Sequence, residues 1–133
     1  LVTSNCFLDW CDRQLQASAA DDELSHRSVT SRAYYAAFHA CDGAVSNHGY
    51  ALPVTGNVGV HEKLIRAMKA ATAENCPSKV DPTDVRVAGT QLATLKKLRA
   101  RADYEIQSVY AKSIARDAYH KATQLVRHAA TKL

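Results

Sequence analysis

Between residues 83 and 102 the apolar side chains fall at Val85, Ala88, Leu92, Leu95 and Ala102, with Arg99 filling the one remaining place in the series. Alternate steps of three and four residues return to one side of an α-helix every two turns, so this segment predicts a helix with a continuous inner seam. A strand would need its apolar residues at every second position. The seam also sets a problem, because Arg99 stands where the pattern asks for an apolar side chain. A guanidinium withdrawn from water has to be paired, since an unpaired buried charge costs on the order of several kcal/mol. Asp103, four residues on, shares its helix face and is one candidate partner, and the polar seam of the second helix is another.

The same helical period recurs through most of the chain, and little interrupts it. There are five glycines and three prolines, and four of the glycines lie between Gly43 and Gly59. A first helix is expected after an N-cap at Thr3 or Ser4, with Leu8, Cys11, Leu15 and Ala19 inward. A break at Asp21-Asp22 precedes a second helix from about Ser25 to Asn47, stopped by Asn47-His48-Gly49. Residues 49–59 read as a loop, followed by a third helix over about Val58 to Ala73 with Val60, Leu64, Ile65 and Met68 inward. After a second loop from Cys76-Pro77 to Asp81-Pro82, the fourth helix starts at Pro82 or Thr83, with Asp84 suited to its positive end. A last helix, about Lys112 to Lys132, turns Ile114, Ala118, Ala122, Leu125 and Ala129 inward. The expected fold is a single all-α domain over residues 1–133: an antiparallel bundle of four long helices plus a shorter fifth.

Composition excludes some classes of function. No apolar run approaches the roughly 18 residues that a membrane span needs. The chain begins at Leu1 with no secretory signal and no initial Met, so its natural start is expected upstream. Cys6, Cys11, Cys41 and Cys76 form no CxxC pair, which reads as reduced structural thiols in a cytoplasmic protein rather than a disulfide frame or zinc site. Neither a metal nor an organic cofactor is expected. A net charge of +4 leans mildly toward polyanionic partners.

The second helix carries the chemistry. Ser28, Arg32, Tyr35, His39, Asp42 and Ser46 form a polar seam at heptad-like spacing. Beside it run an apolar stripe (Tyr34, Phe38, Cys41, Val45) and a stripe of alanines from Ala33 to Ala44. Surface helices usually show Lys and Glu, so Arg, Tyr and His beside alanines suggest close packing, and a homodimer through the second or fourth helix is expected. Arg32 and His39 lie two turns apart, about 10 Å along the axis. His supplies an acid or base of near-neutral pKa, and Arg a bidentate fork for phosphate.

Three blocks together, Ser31-Arg32-Ala33-Tyr34-Tyr35-Ala36-Ala37-Phe38-His39, Gly59-Val60-His61 and Arg99-Ala100-Arg101-Ala102-Asp103-Tyr104, resemble the HEPN family in content, order and separation. The resemblance covers nearly the whole chain. It implies a helical-bundle domain, often dimeric and frequently encoded beside a minimal nucleotidyltransferase antitoxin. Many such proteins look like metal-independent ribonucleases that use an Arg, a short spacer and a His. In this chain the spacer after Arg99 leads to Tyr104, Glu105 and Ile106, with no His; the pair Arg32 and His39 lies on the earlier helix instead.

The enzymatic expectation is therefore that Arg99 holds phosphate, Asp103 orients it, His39 serves as acid/base and Arg32 assists. Tyr35, Tyr104, Lys96 and Arg101 are the expected nucleotide or RNA contacts. Two alternatives stand beside it: a non-catalytic dimeric module that docks a nucleotidyltransferase, and a buried polar network that only ties helices together. His61-Glu62 is not a zinc-binding HExxH, since Ile65 occupies the second His position; it reads as a helix-start pair that could also face the site. Gly56 and Gly59 follow no strand and lack a Walker lysine. His120 and His128 read as exposed.

Overall fold

The computed structural model describes residues 1–54 and 56–133; of the expected 49–59 loop, Thr55 lies outside them. Five helices follow one another: α1 (Ser4–Ala17), α2 (Glu23–Asn47), α3 (Val60–Lys69), α4 (Pro82–Tyr104) and α5 (Lys112–Lys132), with no strand among the described residues. α2, α4 and α5 have 25, 23 and 21 residues, whereas α1 has 14 and α3 has 10, so α1 is closer in length to α3 than to the other three.

Side-chain caps open α1, α2 and α4, whereas α3 and α5 start without one. Thr3 accepts from the Cys6 amide, Asp22 from Ser25 and Asp81 from Thr83, with Pro82 opening α4. Because Asp22 caps, α2 begins two residues earlier than the sequence suggests. Gly49 takes φ 82° just past its end, the left-handed conformation that glycine adopts without strain. α3 is shorter than expected at both ends. Its last turn gives way to a turn in which Asn75 Oδ1 accepts from the Thr72 amide at 2.8 Å, a local bond that competes with further helix. Val60, at its first position, is exposed rather than inward, and Ala19 lies exposed beyond the end of α1.

α2 packs against α1, α4 and α5, and this central place explains its run of alanines. Ala33, Tyr34, Ala36, Ala37 and Cys41 are fully buried on it, as are Ala115, Ala118 and Ala122 on α5, which packs against it. On α5, Ala115 takes the core position expected of Ile114, which stays partly buried. The α4 seam is as expected: Val85, Ala88, Leu92, Leu95 and Ala102 are buried. α3 lies on α4 at a contact that only glycine permits. A Cβ on Gly89 would stand 2.9 Å from Met68 Cβ and 3.0 Å from the Lys69 amide nitrogen. That close crossing brings the start of α3 beside Arg99.

Candidate functional site

Arg99 sits at the rim of the bundle. Its Nε donates to Asp103 Oδ2 at 3.1 Å, with the two side chains 22% and 28% exposed. Its Cζ lies 5.5 Å from the Tyr34 ring and 5.1 Å from the Tyr35 ring, both on α2. Cation–π contact and the i, i+4 pair therefore hold the guanidinium by its faces and its Nε edge. No described residue hydrogen-bonds its two terminal nitrogens, the pair that forms a bidentate fork toward phosphate.

His61 enters the same cluster from α3. Its ring stacks on Phe38 at 4.0 Å and on Tyr34 at 5.5 Å, and meets Tyr35 edge-on at 5.9 Å. Nδ1 is 2.7 Å from the Tyr34 hydroxyl, and which of the two donates depends on the tautomer. Nε2 makes no hydrogen bond to a described residue. Burial pushes the His61 pKa below its ordinary value, and the neighbouring Arg99, Lys96 and His39 push it the same way against Asp42. The result is a neutral imidazole at neutral pH with one ring nitrogen anchored. Tyr34 is driven upward by its own burial, so its hydroxyl stays protonated. Glu62 binds Lys96 Nζ at 2.6 Å and Arg66 at 3.4 Å, which ties α3 to α4 directly beside His61.

The residues singled out from sequence divide between this cluster and its surroundings. Arg99, Asp103 and Tyr35 belong to it, and Lys96 adjoins it through Glu62. His39 is exposed and one stacking step away, 6.2 Å from the Tyr35 ring. Arg32, exposed on the same helix, is not brought to His39; it lines a hollow with Asp103 and Ile106. Arg101 turns from Arg99 and lies 5.8 Å from the Tyr110 ring. Tyr104, the last residue of α4, is 75% exposed and bonded to nothing described. With Arg32, His39 and Asp103 open to solvent, the polar seam is not a closed core network. His128 is half-buried rather than exposed, 3.0 Å from the Asp84 carbonyl.

Two residues matter here more than their sequence context suggests. His61 is visible in the Gly-Val-His block but reads there as a helix-start pair. Arg27 stands out in no sequence pattern, yet it is 9% exposed and among the most engaged side chains in the protein. It donates to the carbonyls of Arg101, Ala102, Glu105 and Ser108 and to Glu23 Oε1, at 2.6 to 3.2 Å. The first two of those carbonyls belong to the last turn of α4, the turn that carries Asp103 and Tyr104, and the other two to the segment that follows it.

Other possibilities are weaker. A hollow of about 660 Å3 lies between the C-terminal ends of α2 and α5 and the 77–80 segment; it reaches the cluster only at His39. Among the described residues no three His, Cys, Asp or Glu side chains gather as a metal site, and no helix is long and apolar enough to cross a membrane. No protein-family model, curated protein or solved structure matches the chain.

Proposed function

We propose that the chain is a HEPN-type domain directed at nucleotide or RNA, acting as a metal-independent, toxin-like ribonuclease with an antitoxin partner. The observation that carries this reading is the pairing of an Arg99 whose fork is unoccupied with a neutral His61 held in the same aromatic cluster. In the reaction we envisage, His61 Nε2 takes the proton of an RNA 2′-hydroxyl. The 2′-oxygen bonds to the adjacent phosphorus, and Arg99 balances the charge that builds on the phosphorane. The P–O5′ bond then breaks, His39 returns a proton to the leaving oxygen, and a 2′,3′-cyclic phosphate and a 5′-hydroxyl result. Asp103 orients Arg99. His61 thus supplies the acid/base group that the residues after Arg99 lack.

Incubation of the protein with single-stranded RNA in EDTA tests this. Cleavage to 2′,3′-cyclic ends is expected, with a loss of about 10²–10⁴-fold in His61→Ala and in His39→Ala. Full activity in His61→Ala with unchanged melting would remove His61 from the mechanism.

A second reading, a non-catalytic dimeric module that docks a nucleotidyltransferase, is supported by the missing His after Arg99. The exposed tip formed by Tyr104, Ile106 and Val109 gives such a partner something to hold. No RNA cleavage, together with tight binding to a neighbouring nucleotidyltransferase and an adduct on Tyr104 in the presence of ATP, would favour it.

A further inference from the structure

Away from the Arg99–His61 cluster, a line of rings leads back to α1. Tyr35 stacks with His39 at 6.2 Å and 24°, and His39 with Phe7 at 6.0 Å and 9°. Trp10 follows one turn along α1 from Phe7, on the same helix face. Phe7 and Trp10 open into a hollow of about 270 Å3 completed by Val2, Cys6, Arg13 and Arg32. Both arginines are exposed, and neither is ion-paired among the described residues, although Asp9 stands i, i+4 to Arg13. Arg32 also lines a second hollow, about 290 Å3, beside Asp103. Its guanidinium therefore sits between the α1 rings and the end of α4 that bears Arg99. Half-exposed rings edged by free guanidinium groups are what unpaired bases and their phosphates require. Duplex RNA, whose bases are stacked on one another, offers the rings nothing.

We propose that Tyr35, His39, Phe7 and Trp10, flanked by Arg32 and Arg13, form a track for single-stranded RNA leading to the Arg99–His61 site. This rests on the ribonuclease reading for its direction, but not for its existence. The track makes the substrate unpaired RNA extending beyond the scissile phosphate, with bases on the rings and phosphates on the two arginines.

Trp10 is the chain's single tryptophan and reports directly on the track. The probe is a 2′-O-methylated oligouridylate of about ten nucleotides, which binds but has no 2′-hydroxyl to react. Titration should quench Trp10 emission, while uridine monophosphate and duplex RNA should not. Phe7→Leu should weaken binding about tenfold. Arg13→Gln with Arg32→Gln should flatten the slope of log affinity against log salt by roughly 1.4, about 0.7 for each phosphate left without its arginine.

Binding seen by anisotropy without Trp10 quenching, or unchanged in these variants, overturns the track. If native RNA is still cleaved in a His61-dependent way, the ribonuclease reading survives that outcome. Quenching that depends on Arg13 and Arg32 without cleavage of native RNA upholds the track and removes the ribonuclease. Emission that changes with protein concentration alone marks the face as a contact between copies and overturns the track. No binding at all overturns the track, and together with no cleavage of native RNA it overturns both.

Discussion

Arg27 and Arg99 attach to the same end of α4, and their surroundings are opposite. Arg27 reaches in from α2 and spends its terminal nitrogens on four backbone carbonyls and one carboxylate, with its Cζ 5.0 Å from the Tyr110 ring. Glu23, its carboxylate, also accepts from the Tyr110 amide at 2.7 Å, so the knot closes on itself. Arg99 engages only Nε and leaves its fork open. A saturated guanidinium holds structure together; one fixed in place but unsatisfied is ready for an anion. The number of donors left over, more than charge or burial, separates the two.

The largest effect that would break this contrast concerns Arg27. Arg27→Met should leave the Ala102 and Ser108 carbonyls without a donor, since those of Arg101 and Glu105 keep other partners, and lower stability by about 2–4 kcal/mol in urea denaturation. A loss below about 1 kcal/mol would mean that water replaces the guanidinium freely and that the knot is not structural.

Arg99→Gln should do the reverse. The i, i+4 pair contributes about 0.3–0.5 kcal/mol and the two ring contacts about 0.5–1 kcal/mol each, so stability should fall by only about 1–2 kcal/mol, while RNA cleavage falls about 10²–10³-fold. A comparable fall in stability would make Arg99 a second Arg27.

Gly89→Ala tests the geometry that makes the open site. Its methyl would press on Met68 Cβ and on the Lys69 backbone, neither of which yields easily. About 1–3 kcal/mol of destabilisation is expected, with α3 displaced and cleavage reduced along with stability. Retained stability and activity would show that α3 shifts without consequence for His61.

The smallest and sharpest test is pH. The His61 pKa is depressed, so its neutral form should persist below the ordinary value of about 6.5, and the acid limb of a pH–rate profile should lie lower still. Arg99→Gln removes one of the positive neighbours and should raise that limb toward the ordinary value. The linkage has the same sign: the unfolded chain binds the proton more readily, so stability from His61 is present above about pH 6.5 and is lost as pH falls through the lower folded value. An acid limb unmoved in Arg99→Gln would uncouple the two groups.

Much of the scaffold could be read along the chain, because a helix announces itself by local period. The α4 seam and the bounds of α5 needed nothing else. So did the Arg99–Asp103 pair, which follows from an i, i+4 rule. His61 is different: it joins Arg99 only because α3 crosses α4 at Gly89, and nothing in either segment alone states that crossing. Arg27 is harder still. Its main partners are backbone carbonyls, which every residue has, so no side-chain pattern points to them. Asn75 ends α3 early by the same kind of local competition between side chain and backbone.

The cysteines turn the bundle into its own clock. Cys6 is exposed at the start of α1, where a hydrogen bond donated by the Thr3 hydroxyl to its sulfur lowers its pKa, so it reacts with a thiol reagent at once. Cys11 and Cys41 are sealed in the core with their pKa values pushed up to about 12, and Cys76 is buried beneath the segment that leads into α4. Each of those three sulfurs can be labelled only when its own surroundings part. The lag between the first modification and the later ones therefore dates the opening of the α1–α2 contact, the α2 core and the α3–α4 connection, with no residue replaced.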